Sequence, residues 1–205
     1  MWKYEHEARE AGLLPVCGCD EAGAGPLAGR VYAAAVILPL DVRLPGLNDS
    51  KQLTEKAREA LFPLIRESAV AWAVVWVDEK EIDRIDILNS RIKAMQSAID
   101  ALSVKPALAL IDGNRDRGSQ CAITAEHRTL IKGDSLSASI AAASILAKVS
   151  RDRYMTEMDK LYPGYGFAGN KGYGTKAHFA ALGRLGPCPI HRKSFLRKWR
   201  EGKPQ

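Results

Sequence analysis

Short apolar runs alternate along the chain with apolar residues at helical spacing. Residues 16–19 and 31–38 are runs of strand length on either side of a glycine-rich loop, which predicts two strands resembling a hairpin. Residues 70–77 and 107–111 are further apolar runs of the length expected for buried strands. Residues 129–132 also have the pattern of a strand. The chain is therefore expected to contribute five short strands.

Helices are predicted between these strands. Thr54 is expected to cap one of them. Apolar residues recur at three- and four-residue steps over residues 78–102, which predicts an amphipathic helical segment broken near Asp86. A long helix rich in small residues continues to Leu161, and Asp134 is well placed as its N-cap. Strands and helices that alternate in this way indicate an α/β fold.

Composition and charge narrow the class of protein. The 205 residues, of which 46% are hydrophobic, suffice for one well-buried core, so a single domain over 1–205 is expected. A net charge of +6 favours an anionic partner such as a nucleic acid, although a similar excess is common on proteins that bind none. The charged N-terminus is unlike a signal peptide, and no apolar run is long enough to cross a bilayer. The four cysteines lack zinc-site spacing, so we expect reduced thiols. Together with the charged N-terminus and the short apolar runs, this predicts a cytoplasmic protein that does not bind membranes.

Four carboxylates stand where predicted strands end or helices begin, and one sheet would gather them at one edge: Asp20, Glu21, Asp112 and Asp134. Carboxylates brought together repel one another unless cations lie between them or protons neutralise them. Oxygen ligands favour Mg²⁺ or Mn²⁺, and two such ions can activate a water molecule and stabilise the leaving oxygen in phosphodiester hydrolysis. Helix capping alone would also explain Asp134, and solvated loop charges would explain the acidic pair.

The adjacent pair Asp20 and Glu21 poses a geometric problem. Neighbouring residues of a regular strand face opposite sides of the sheet, so both carboxylates cannot point to one site. Either the strand ends at Asp20, or Glu21 contributes through its carbonyl. Residues 23–28 also fit the glycine pattern of dinucleotide-binding loops, but Pro26 and the β-branched run that follows argue against a helix there.

Several motifs then occur in an order that resembles bacterial ribonuclease HII between about residues 16 and 195. They are Asp-Glu-Ala-Gly-Ala-Gly-Pro-Leu-Ala-Gly at 20–29, Asn-Asp-Ser-Lys at 48–51, Ile-Asp-Gly-Asn-Arg at 111–115, Lys-Gly-Asp-Ser at 132–135 and Lys-Gly-Tyr-Gly-Thr at 171–175. The resemblance implies an RNase H-like fold, in which helices flank a mixed sheet. It also implies a catalytic core over about 16–160 and a C-terminal helical substrate-binding extension over about 161–205.

The activity implied by this resemblance is cleavage of the RNA strand in RNA/DNA hybrids. It includes cleavage 5′ of a ribonucleotide embedded in duplex DNA, by two-metal-ion hydrolysis that leaves 5′-phosphate and 3′-hydroxyl ends. The expected cofactor is Mg²⁺ or Mn²⁺, with two ions when substrate is bound, and the expected state is a monomer. The related ribonuclease HIII family typically carries an additional N-terminal substrate-binding domain, for which the residues before Val16 leave no room.

The resemblance also assigns roles to particular residues. The four carboxylates correspond to the family's metal-binding and catalytic set. The glycine loop, defined as Gly23, Ala24 and Gly25, corresponds to the element that senses the 2′-hydroxyl at the ribose–deoxyribose junction. Tyr173 corresponds to a tyrosine that stacks on the neighbouring sugar, and Lys51 to a lysine near the substrate phosphate.

Two residues depart from the family's pattern. Ala24 stands where the family usually has arginine, and Arg30 where it usually has proline. Ala24 keeps the backbone N–H that can read the 2′-hydroxyl but lacks the charged side chain. We therefore expect metal-dependent cleavage to be retained, with weakened junction preference or affinity. The alternative is a hybrid-binding module that has lost catalysis, and the presence of all four carboxylates speaks against it.

Overall fold

The computed structural model describes residues 1–48, 50 and 52–202 and contains one mixed five-stranded sheet. The strands are β1 (Val16–Ala22), β2 (Val31–Ile37), β3 (Ala71–Val77), β4 (Leu108–Asp112) and β5 (His127–Leu130), in the spatial order β3-β2-β1-β4-β5. The β1–β2 and β2–β3 pairs are antiparallel, whereas β1–β4 and β4–β5 are parallel. The predicted hairpin and the α/β class are therefore confirmed, with β1 at the centre.

Helices lie on both faces of this sheet. Those in the described residues are α1 (Lys3–Glu10), α2 (Glu55–Ser68), α3 (Glu79–Ile85), α4 (Ile87–Asp100), α5 (Gly133–Leu136), α6 (Ala138–Leu161), α7 (Phe167–Asn170), α8 (Lys176–Leu185) and α9 (Arg197–Arg200). Among the described residues, no helix combines the length and the apolar character needed to cross a membrane.

The strand β2 shows how the two faces are covered. Ala34 and Val36 pack with α2 and α6, whereas Ala33 and Ala35 pack with α4 in a separate cluster. All seven residues of β2 are buried, which explains its uninterrupted apolar sequence. Helix α6 approaches β1 so closely that a Cβ atom on Gly18 would lie 2.1 Å from the Ile140 nitrogen. A side chain at Gly18 would therefore push α6 away from the central strand.

The predicted break near Asp86 is confirmed. Asp86 has a φ of 69°, which interrupts the helical backbone, and its side chain caps α4 by accepting a hydrogen bond from the Asn89 amide at 2.9 Å. The prediction that Asp134 caps the long helix is wrong. Asp134 lies in the one-turn helix α5, and Ser137 follows with extended backbone and accepts from the Ile140 amide at 3.2 Å. The extra turn moves the start of α6 beyond Asp134.

The chain after α6 packs on one end of the sheet domain. Helices α7, α8 and α9 share an apolar cluster with Leu27 and Ala28, which follow the glycine loop, and with Met155 of α6. A short antiparallel bridge joins Ala28 to His191. The C-terminal segment is thereby placed directly behind the loop between β1 and β2.

Candidate active site

Three of the four predicted carboxylates converge at one point. One carboxylate oxygen from each of Asp20, Asp112 and Asp134 lies within 4.8 Å of the other two, and we refer to these residues as the carboxylate triad. Asp20 and Asp112 lie on β1 and β4, which are parallel neighbours, so the two strands carry them to the same edge of the sheet. Asp134 joins them from α5, just beyond β5.

Backbone amides fix two members of the triad. The Gly133 amide donates to Asp112 Oδ1 at 2.7 Å, and the Glu21 amide donates to Asp20 Oδ1 at 2.7 Å. Ser144 of α6 also hydrogen-bonds Asp20, and the Ser144 hydroxyl lies 2.5 Å from that of Ser50. Hydrogen bonds from the protein therefore hold these two carboxylates in place.

The electrostatics of the triad favour a cation. Asp20 is only 3% exposed, and burial, followed by the charges of Glu21 and Asp112, raises its pKa well above the usual value for an aspartate. The donor atoms of the triad are all carboxylate oxygens, which is the ligand type preferred by hard divalent cations. The residues thus fit a divalent metal site.

Glu21 does not join this triad. Strand β1 continues to Ala22, so the expectation that the strand ends at Asp20 is wrong. Asp20 pairs with Ala34 on the α6 face, and Glu21 pairs with Ala33 on the α4 face. The Glu21 carboxylate forms an ion pair with Arg91 of α4, at 2.5 Å between Oε1 and Nη2. Only the second interpretation, in which Glu21 acts through its carbonyl, is compatible with this register, and it stays a prediction.

Burial outweighs the ion pair in setting the acidity of Glu21. Its pKa is raised, first by burial and also by the charge of Asp112, although Arg91 acts in the opposite direction. Sequence reasoning missed Arg91, because a basic residue on an amphipathic helix gives no sign of the strand residue that it will meet.

A cleft of about 230 Å³ collects most of the other predicted site residues. The glycine loop and Tyr173 line it together with Asp20, Glu21 and Asp112. A Cβ atom on Gly25 would lie 3.6 Å from the Tyr173 ring, so the loop and the tyrosine face each other across a short distance. Lys51 lies outside the described residues.

Basic residues of α6 also reach the cleft. Lys148 lines it and forms an ion pair with Asp152 at 2.7 Å. Arg151 lines it as well, but its guanidinium is turned to the backbone and donates to the carbonyls of Ala28, Arg30 and Lys171. The sequence shows these residues only as cations on a helix. Only the packing shows that Lys148 pairs with a carboxylate whereas Arg151 binds backbone carbonyls.

Comparison with known proteins places this geometry in a family. The family model described as ribonuclease HII matches residues 17–198. The chain belongs to the ribonuclease HII family. Ribonuclease HII of Geobacter sulfurreducens is 51% identical over 195 residues, which cover 95% of this chain and 88% of that protein. Ribonuclease HII of Geobacter sp. strain M21 is 55% identical over 191 residues, which cover 93% and 81%.

A solved structure agrees with the family assignment. The crystal structure of ribonuclease H2 from Pyrococcus horikoshii OT3 superposes with a TM-score of 0.76 at 27% identity and covers 91% of this chain and 97% of that chain. The RNase H-like fold implied by the motifs is therefore confirmed, and the family is one of metal-dependent nucleases. The roles of the individual site residues stay predictions.

Proposed function

We propose that this member of the ribonuclease HII family is an endonuclease that cuts the RNA strand of RNA/DNA hybrids and cuts 5′ of ribonucleotides in duplex DNA. The observation that carries the proposal is the position of the carboxylate triad beside a cleft lined by the glycine loop and Tyr173. A cation site beside a polar cleft suits phosphodiester hydrolysis, and a backbone loop suits recognition of a hydroxyl group.

The triad would hold two Mg²⁺ or Mn²⁺ ions with substrate bound, and Glu21 would add its carbonyl. When bound, such ions activate water and stabilise the leaving oxygen, which yields 5′-phosphate and 3′-hydroxyl ends. The chain's own contribution is to keep the carboxylates in place through the Gly133 and Glu21 amides. Because these donors belong to strand β1 and to the first residue of helix α5, the site needs little reorganisation when substrate arrives.

We assign substrate recognition to the side of the cleft formed by the glycine loop and Tyr173. The amides of the glycine loop would hydrogen-bond the 2′-hydroxyl, and the half-exposed Tyr173 ring would stack on the neighbouring sugar. Lys148 supplies positive charge for a phosphate. The helices after residue 161 would extend this surface along the duplex as the substrate-binding part of the protein.

We also infer that the protein acts as a monomer in the cytoplasm. The four cysteines are free thiols, and Cys17 and Cys19 are buried in the core, which suits a reducing compartment.

The test is incubation of an end-labelled DNA duplex carrying one ribonucleotide with Mg²⁺ or Mn²⁺. We expect a single cut 5′ of the ribonucleotide, a 3′-hydroxyl end that a polymerase extends, and no cut in the all-DNA duplex. A full RNA/DNA hybrid should be cut in its RNA strand. The matched control is Asp112→Asn, which removes a charge but keeps the shape of the side chain. Binding without cutting by the unaltered protein would favour the hybrid-binding module.

Restoring the family's usual arginine with Ala24→Arg is expected to increase cleavage. Ala24 lines the cleft, so a guanidinium there would reach the phosphate backbone. We expect kcat/KM on the single-ribonucleotide duplex to rise about fivefold at low salt, with the gain shrinking as salt increases.

Ala24→Gln controls for side-chain length without charge and should give a smaller change. Equal rates for the unaltered protein and Ala24→Arg at every salt concentration would contradict the expectation.

A further inference from the structure

A buried arginine from the C-terminal segment lies behind the glycine loop. Arg192 is 0% exposed, and its guanidinium donates to the Ala24 carbonyl at 2.9 Å and to the Gly23 carbonyl at 2.6 Å. It also donates to the Gly29 carbonyl through Nε at 2.9 Å and Nη2 at 2.7 Å. One side chain thus gathers three carbonyls from the connection between β1 and β2.

These contacts determine where the loop's amides point. In a trans peptide unit the C=O of one residue and the N–H of the next point in opposite directions. Since the Gly23 and Ala24 carbonyls face Arg192, the N–H groups of Ala24 and Gly25 face away from it. Within residues 1–48, 50 and 52–202, neither N–H has an acceptor. The loop therefore offers two adjacent free donors beside the cleft.

Arg192 is charged and yet removed from water, and its surroundings compensate for this. Burial, followed by the charge of Arg151, lowers the pKa of Arg192 to about 9, so it remains a cation at neutral pH. Its hydrogen bonds to carbonyls and the Phe195 ring, 5.1 Å from the guanidinium carbon, replace the lost hydration. Arg151 holds different carbonyls, so it does not duplicate the contacts to Gly23 and Ala24.

The same segment supports Tyr173. His191 Nε2 lies 3.0 Å from His178 Nε2, and His178 Nδ1 lies 2.8 Å from the Tyr173 carbonyl. The Cys188 amide donates to His191 Nδ1 at 2.9 Å, so the His191 proton resides on Nε2 and is donated to His178. His178 then donates through Nδ1 to Tyr173. We call residues 188–192 the C-terminal brace, because they contact the glycine loop and also support the backbone of Tyr173.

We propose that Arg192 is a positioning residue for ribonucleotide recognition, which aims the Ala24 and Gly25 amides into the cleft while the C-terminal brace fixes their distance to Tyr173. The inference rests on the proposed function. It predicts that Arg192 controls which phosphate is cut as well as how fast it is cut, because a loosened loop would accept a ribose in more than one register.

The experiment compares the unaltered protein with Arg192→Ala and Arg192→Lys on two duplexes, one with a single ribonucleotide and one with four in succession. For Arg192→Ala we expect kcat/KM on the first duplex to fall roughly 30-fold, the order expected when charge-assisted hydrogen bonds to a binding loop are lost. On the second duplex the cuts should spread over several phosphates. Added guanidinium ion should restore part of both properties, and Arg192→Lys should be intermediate.

Ile99→Val serves as the control for general loss of stability, because Ile99 is buried in the apolar cluster formed with α4 and does not line the cleft. It should leave the cut positions unchanged. If Arg192→Ala does not fold, Arg192→Lys decides by the same two measurements.

Cut positions and rates like those of the unaltered protein would overturn the inference, and so would a slower variant whose cut positions are unchanged and which guanidinium does not rescue. Failure of the unaltered protein to cut either duplex would instead overturn the proposed function.

Discussion

Replacing Asp20 by asparagine is expected to stabilise the metal-free protein and at the same time to abolish its cleavage activity. Asp20 is buried beside Asp112 and Asp134, so removing its charge relieves repulsion within the triad. We expect the melting temperature in EDTA to rise by about 3 °C, which corresponds to roughly 1 kcal/mol in a chain of this size. Cleavage should fall by about 1,000-fold or more, because a carboxylate of the divalent metal site is lost.

Melting curves in EDTA and in excess Mg²⁺ test the first part of this expectation, and the single-ribonucleotide duplex tests the second. Excess Mg²⁺ should stabilise the unaltered protein more than Asp20→Asn. Glu21→Gln is the matched control, because the Glu21 carboxylate pairs with Arg91 outside the triad: this variant should keep a stabilisation by excess Mg²⁺ close to that of the unaltered protein. A metal-free Asp20→Asn protein that melts below the unaltered one would contradict the repulsion argument.

Gly23→Ala is the second change with a large expected effect. Gly23 has a φ of +94°, which side chains other than glycine rarely adopt, and a Cβ atom there would lie 1.9 Å from Arg151 Nε. The Arg151 guanidinium would have to leave the carbonyls that it holds. We expect a loss of about 3 kcal/mol in the free energy of unfolding, which combines backbone strain with a broken buried network. Cleavage should fall by about 100-fold or more as the glycine loop shifts.

Urea unfolding and the cleavage assay measure these two losses. Gly183→Ala in α8 is the matched control, because a Cβ atom there would meet no atom within 4 Å and alanine favours a helix. This control should be as stable as the unaltered protein or slightly more so. A Gly23→Ala protein with unchanged stability and cut positions would show that the loop tolerates the side chain.

Features with a local signature could be predicted from the sequence. The apolar runs gave the strands, and the period of the apolar residues gave the break at Asp86, because both follow from the geometry of a single element. The alternation of side chains along a strand also required Asp20 and Glu21 to face opposite ways, as the register confirms. The position of Asp134 relative to α6 could not be predicted, since one extra turn of helix leaves no distinct pattern.

Contacts between distant segments were beyond sequence reasoning. Arg192 and Ala24 are separated by 168 positions, and Arg151 and Ala28 by 123. An arginine that binds backbone carbonyls imposes no residue type on its partners, so neither end of such a contact stands out. The motifs identified the wall of the cleft, whereas the side chains that hold it in shape could be found only from the fold.

The order of these contacts along the chain has a consequence for protein synthesis. Asp20, Asp112 and Asp134 are all translated before Arg192, which completes the support of a loop that begins at residue 23. An elongating polypeptide on the ribosome therefore contains the whole carboxylate triad while its glycine loop still lacks the guanidinium that gathers its carbonyls. The wall assigned to ribose recognition is finished only after Arg192 has been added, well after the last carboxylate of the triad.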